Sequence, residues 1–177
     1  MPFALGFIQF CISEDTSTSR EAMYAEQVKD YKFYLAFENN YCQDYHTEKF
    51  FSAMKSQNVI PVVMGGKHSS DFAKIAPPRS YLNIDDFSSV EELAKKLEML
   101  ASDPMAYKEY FWWTNHYRVT SIMEGYESAQ CQLCEILNQQ GSSQHRLPSI
   151  DLRDYWSSQK HCRYPGTKDF PFPWDKS

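Results

Sequence analysis

Two short polar runs carry the densest chemistry in this chain: Glu38-Asn39-Asn40, and Tyr45-His46-Thr47-Glu48-Lys49. Thr47 stands where a helix is predicted to begin, and the unpaired backbone N–H groups of a helix start attract an anion. Lys49, in the first turn, adds a full positive charge suited to a phosphate. Tyr45 offers a hydroxyl or a ring face. Glu48, acceptor-only when ionised, suits hydroxyl groups rather than phosphate. The same residues also fit a plain structural role, with Thr47 as an N-cap, Glu48 as a first-turn acid and Lys49 as solvated surface.

Other constellations point less sharply. Gly65-Gly66-Lys67-His68 fits either a loop hugging a phosphate or a glycine stop after a strand. Asp85-Asp86 fits a metal pair, or more simply the turn into the next helix. His46 and His116 have no Ser or Cys in a triad-like arrangement. Phe111-Trp112-Trp113 reads as core rather than as a stacking platform. Neither a GxGxxG fingerprint nor a Walker-type loop occurs.

The elements that must position these residues follow from hydrophobic periodicity. Strands are predicted at Tyr31 to Phe37, Val59 to Met64 and Ser80 to Ile84. Helices are predicted from Thr47 to about Gln57, from the doubled capping signature Ser88-Ser89-Val90-Glu91-Glu92 through Leu100, from Pro104, and from Tyr117 to Leu137. Alternating strands and helices imply an α/β fold: a Rossmann-like parallel sheet flanked by helices. Ligands in such sheets sit beyond the carboxyl ends of the strands. Those ends are 39–47, 65–70 and 85–87, so the polar runs lie where a ligand belongs. The expected organisation is a divergent segment over 1–30, the Rossmann-like domain over 31–140, and an extended strap over 141–177 packing back on it.

The 177 residues carry a formal net charge of −5 and no long Lys/Arg block. That argues against nucleic-acid binding, which needs clustered cations, but not against holding one nucleotide. No apolar run approaches the ~20 residues of a membrane span. Met1 to Ile12 is apolar yet lacks a basic flank, and reads as a strand or an irregular start. Five cysteines leave at least one without a partner in the chain. Cys131-Gln132-Leu133-Cys134 suits a structural disulfide or, with His161 and Cys162, a zinc site. No Asn-X-Ser/Thr sequon is present.

The run Tyr31-Lys32-Phe33-Tyr34-Leu35-Ala36-Phe37-Glu38-Asn39, followed by Asp44-Tyr45-His46-Thr47-Glu48-Lys49, closely resembles the α1,3/4-fucosyltransferases, glycosyltransferase family 10. The likeness continues in order through Val59-Ile60-Pro61-Val62-Val63, Ala76-Pro77-Pro78-Arg79-Ser80-Tyr81, Asp85-Asp86-Phe87-Ser88 and Tyr107-Lys108-Glu109-Tyr110-Phe111. It reaches the Cys131/Cys134 pair, Tyr155-Trp156 and Cys162.

This resemblance implies the C-terminal half of a GT-B glycosyltransferase, binding GDP-fucose. Asn39, Tyr45, Glu48 and Lys49 match the positions that hold the donor, with Lys49 neutralising the departing diphosphate. The family inverts at the anomeric carbon, transferring fucose in α1,3 linkage to a GlcNAc hydroxyl of a glycoprotein or glycolipid glycan, and uses no obligatory metal. Its members are type II membrane proteins of the Golgi lumen, so the implied partners are GDP-fucose and a glycan acceptor. The general base is expected in the N-terminal half of the family's architecture, which also offers partners for the CxxC cysteines. Upstream of Tyr31, Glu14, Asp15, Glu21 and Glu26 are among the residues that supply carboxylates. Departures from the family pattern are Gly65-Gly66, where Gly-Pro or Gly-Arg is usual, and Thr114 in place of a basic residue. The alternative is a catalytically inactive nucleotide-sugar-binding or interaction domain on the same fold.

Overall fold

A computed structural model describes residues 26–120, 122–139, 151–155 and 157–164. The expected features over Met1 to Ile12, the carboxylates Glu14, Asp15 and Glu21, and much of the 141–177 strap lie outside them.

Three parallel strands form the central sheet: β1 (Phe33–Phe37), β3 (Ile60–Met64) and β4 (Leu82–Asn83), in the order β1-β3-β4. A separate antiparallel pair joins β2 (Tyr41–Cys42) to β5 (Cys162–Arg163). Helix α1 (Glu48–Ser56) crosses from β1 to β3, while α2 (Val90–Ser102) and α3 (Pro104–Lys108) follow β4. The α/β class with a parallel sheet is therefore as expected.

β3 is central and almost wholly buried, which suits its Ile-Pro-Val-Val-Met sequence. Phe33 pairs with Ile60 and Phe37 with Met64 along β1. Alternation then divides the side chains between two cores. Tyr34, Ala36, Val59 and Val63 meet Phe50, Ala53 and Met54 of α1, with Phe72 and Trp113 closing that side. Phe33, Ile60 and Val62 meet Leu82, Ile84, and Leu97 and Leu100 of α2 on the other. Each fully buried Phe, Leu or Ile contributes about 1.5–3 kcal/mol. Trp113 is core, as its run suggested; Trp112 donates its indole N–H to the Pro78 carbonyl, 2.9 Å away.

The boundaries differ in instructive ways. β4 spans two residues rather than Ser80 to Ile84. Ile60 donates to Lys32 on the β1 side, so Pro61, one residue on, faces the β4 side without an N–H to give. Pairing with β4 accordingly begins at Val62. It ends where the Asn83 side chain accepts from Asp85 N–H and turns the chain into a 3-10 helix, Ile84–Asp86. Helix α1 stops at Ser56 because Gln57 takes a left-handed conformation and caps it. Of the doubled capping signature, Ser89 is the cap, accepting from Glu92 N–H, while the Glu92 carboxylate reaches back to Ser88.

Helix α4 (Ile122–Gln139) starts later than Tyr117, because Val119 is drawn onto the first core while the chain there is not helical. Within the 141–177 segment, the described residues 152–155 and 158–161 are single helical turns, α5 (Leu152–Tyr155) and α6 (Ser158–His161), which lead into β5. None of the described helices is long and apolar enough to cross a membrane.

Tyr107 ties down the amino ends of the strands. Its hydroxyl lies 2.7 Å from the Lys32 carbonyl and 2.9 Å from that of Asn58, donating to one at a time, and its ring packs edge-on to Phe33. Burial pushes the phenol up to about 12. Tyr107→Phe removes the donor and leaves the ring, and should cost about 1 kcal/mol, read as a lower urea midpoint at unchanged slope.

Candidate functional site

Strand β1 ends at Phe37, and Glu38 is the first residue beyond it. Its N–H donates to the Met64 carbonyl at 2.8 Å, which keeps the end of β1 against β3. Its side chain is turned inward, leaving the residue only 4% exposed. One carboxylate oxygen accepts Thr47 N–H at 2.7 Å and the other accepts the Thr47 hydroxyl at 2.7 Å. Lys49 Nζ stands 3.7 Å from the same carboxylate and donates to Asn39 Oδ1 at 2.7 Å. The loop between strand and helix is thus folded over one buried anion.

This has a chemical consequence at the start of α1. Thr47 occupies the N-cap position, but its hydroxyl is turned to Glu38 and makes no cap bond to the helix. The first-turn N–H groups therefore keep their affinity for an external acceptor. Of the predicted site residues, Asn39 and Lys49 are in contact, Tyr45 is half-buried nearby in sequence, and Glu48 is exposed at the first helical position. Sequence reasoning missed Glu38 as their organiser, although a carboxylate directly after a buried strand is itself a signal, since such a group must find partners.

The loop after β3 is built differently. Gly66 has φ +71°, and a Cβ there would stand 3.1 Å from Asp71. Asp71, fully buried, accepts the N–H groups of Lys67 at 2.9 Å and His68 at 3.2 Å, together with Lys74 Nζ at 2.8 Å. Burial raises its pKa, yet these bonds from Lys74, His68 and Lys67 outweigh it and hold the carboxyl below its usual range. A carboxylate of the chain already accepts these N–H groups, so of the two readings of Gly65-Gly66-Lys67-His68 the glycine stop after a strand fits, here as a self-capped turn, and the phosphate loop does not. Gly65 is required for another reason: a Cβ would lie 2.9 Å from Glu38 Cγ.

Asp85 belongs to the turn before α2 and pairs with Arg163 at 2.5 Å. Asp86 is exposed, and partial desolvation, then the neighbouring Asp85, pushes its carboxyl up. Among the described residues no group of three or more His, Cys, Asp or Glu side chains is placed to hold a metal ion.

Of the readings open for the CxxC pair, the mutual disulfide and the zinc site do not form, and free thiols do. Cys42 and Cys162 form a disulfide, whereas Cys131 and Cys134 are free and exposed. The latter pair lies inside α4, where residues three apart keep their Cβ atoms about 5–6 Å from each other, beyond disulfide reach. Cys162, being oxidised, is no thiolate ligand for a zinc site.

His46 packs edge-on to Phe72 at 4.8 Å, with Nε2 buried and unpartnered. Desolvation lowers its pKa, against the opposing pull of Asp71, Glu38 and Asp44. A histidine depressed in the folded state takes up its proton more readily when unfolded, so stability should fall as pH drops through the ordinary value of 6.5. His46→Phe should flatten that part of the profile, measured by urea unfolding between neutral and mildly acidic pH. Gly65→Ala should cost about 1–3 kcal/mol by forcing Glu38 aside, seen as a lower melting midpoint.

The profile of the family described as "Glycosyltransferase family 10 (fucosyltransferase) C-term" matches residues 8–153, a span that takes in much of the 1–30 segment expected to be divergent. The chain is 43% identical over 134 residues to Alpha-(1,3)-fucosyltransferase C of Drosophila melanogaster, covering 76% of this chain and 29% of that protein. It is 38% identical over 143 residues to Glycoprotein 3-alpha-L-fucosyltransferase A of the same organism, covering 80% and 27%. With Alpha-(1,3)-fucosyltransferase fut-1 of Caenorhabditis elegans it shares 33% over 152 residues, covering 82% and 34%. The chain thus spans about a third or less of the length of these curated relatives. A crystal structure titled as an α1,3-fucosyltransferase with GDP-fucose superposes with a TM-score of 0.45 at 31% identity, covering 50% of this chain and 25% of that one.

Proposed function

The chain belongs to glycosyltransferase family 10, the fucosyltransferases, and on that premise we propose that it forms the donor-nucleotide side of an inverting α1,3-fucosyltransferase. The observation that carries this is the seat of Lys49. Its ammonium group is held by Asn39 at 2.7 Å beside a helix start whose cap hydroxyl is withdrawn by Glu38. That arrangement lies at the carboxyl edge of a parallel sheet, where such folds bind ligands. A fixed cation and free N–H groups at one point suit the diphosphate of GDP-fucose.

The chemistry follows from charge. The bond between fucose C1 and the β-phosphate oxygen breaks as an acceptor hydroxyl attacks C1 from the opposite face. Negative charge gathers on the departing GDP, and Lys49 with the first-turn N–H groups would stabilise it more in the transition state than before. Glu48, exposed beside them, would accept hydroxyls of fucose or ribose, and Tyr45 would support the sugar or nucleotide through its ring or hydroxyl. The base that takes the acceptor's proton is assigned to no residue of this chain. A GlcNAc-bearing glycan is the proposed acceptor.

In this scheme 31–140 is the donor-binding unit and 141–177 returns onto it, as the pairing of β5 with β2 supports. The proposed compartment is the Golgi lumen, and the Cys42–Cys162 disulfide supports an oxidising one.

Titration calorimetry with GDP tests the proposal: saturable binding below millimolar is expected, and none would sink it. Lys49→Ala should weaken GDP binding by roughly 10- to 100-fold, the worth of a charge-assisted hydrogen bond. Lys95→Ala, on the exposed face of α2, should leave it unchanged.

A further inference from the structure

The segment 157–163 lies across the same edge of the sheet and touches the loop or turn beyond each of the three parallel strands. Arg163 is its working end. Its Nε donates to the Gly66 carbonyl at 2.9 Å, and Nη2 lies 3.4 Å from the Gly65 carbonyl and 2.5 Å from Asp85 Oδ2. The guanidinium carbon sits 5.7 Å from the centre of the Tyr41 ring. One side chain therefore joins the loop after β1, through Tyr41, the loop after β3, through Gly65 and Gly66, and the turn after β4, through Asp85. Only a planar fork of several donors serves so many acceptors at once; a lysine offers a single point.

Arg163 is itself held in place. Its neighbour Cys162 is bonded to Cys42, and Gln43 N–H donates to the His161 carbonyl at 2.7 Å. Lys67 Nζ donates to the Lys160 carbonyl. Fastened at these points, the segment cannot leave the loops without breaking a covalent bond.

The contacts continue from Arg163 to Lys49. Gly65, whose carbonyl Arg163 approaches, is packed so closely on Glu38 that an added Cβ would stand 2.9 Å from its Cγ. Glu38 in turn holds Thr47 and neighbours the Lys49 ammonium at 3.7 Å. Resting on the donor-site reading of Lys49, we propose that Arg163, stapled by the Cys42–Cys162 disulfide, is a positioning residue for the donor diphosphate. It fixes the loop after β3 against Glu38, and through Glu38 sets the place of Lys49. It touches no substrate itself.

The test is GDP titration of the full oxidised chain, with the melting midpoint recorded for each variant. Arg163→Ala should weaken GDP binding about tenfold (1.4 kcal/mol), and the Cys42→Ser/Cys162→Ser double variant should do the same. The decisive comparison is Lys49→Ala/Arg163→Ala against Lys49→Ala alone. If Arg163 acts through Lys49, the two bind GDP alike, whereas a general loss of stability adds its effect in full. Wild-type affinity in folded Arg163→Ala, or full additivity with Lys49→Ala, overturns the proposal. Should Arg163→Ala lose its cooperative melting transition, Asp85→Asn, which removes only the ion-pair partner, takes its place in the same cycle with the same outcomes deciding. Absence of GDP binding by the wild-type chain instead refutes the donor site, and the positioning role falls with it.

Discussion

Placing a carboxylate inside a protein is costly unless hydrogen bonds or opposite charge meet it, and at the end of β1 the chain does so with Glu38. The carboxylate is satisfied by the N–H and hydroxyl of Thr47 and approached by Lys49. These partners come from one turn of chain, so satisfying the anion also fixes where α1 starts. It fixes the direction of the Thr47 hydroxyl and the height of the lysine above the sheet. Gly65 must be glycine because Glu38 fills the space beside it. Much of the edge is arranged around the needs of this one buried group.

The two loops at that edge solve the same electrostatic problem in opposite senses. After β3, Asp71 supplies an internal anion to the N–H groups of Lys67 and His68, and that loop is closed to outside acceptors. After β1, the internal anion takes the N–H and hydroxyl of the cap residue and leaves the helix start uncapped. In the proposed donor site a ligand phosphate would thereby be directed to one loop rather than shared between two. Selectivity of place comes from which backbone groups the protein keeps for itself.

How much of this the sequence disclosed depends on how local each feature is. The parallel sheet was readable because Phe33 to Phe37 and Ile60 to Met64 are apolar runs of strand length, and because Ser89 and Glu92 cap in a local pattern. The Tyr45 to Lys49 motif was readable because a strand end, a polar loop and a helix start follow directly in sequence. The short β4 could have been anticipated from Pro61, whose missing N–H is visible in the letters, though which side it faces depends on the pairing with β1. The free Cys131 and Cys134 could also have been anticipated, since the predicted helix already contained both. Arg163 and its acceptors could not. Its partners lie 78 to 98 residues away, and no periodicity or motif joins them.

The Cys42–Cys162 bond has a topological meaning beyond the contacts it secures. With a sequence separation of 120, it makes a covalent ring that contains α1, β3, β4, α2 and α3. In a chain-entropy account, closing a ring of that size removes about 4–5 kcal/mol of freedom from the unfolded chain. β1 lies outside the ring, at the sheet edge among the described strands, and is held without a covalent link by its ladder to β3 and its packed side chains. Glu38, also just outside, grips Thr47 within. The carboxylate is thus a non-covalent clasp between a strand outside the covalent ring and a loop that is already closed within it.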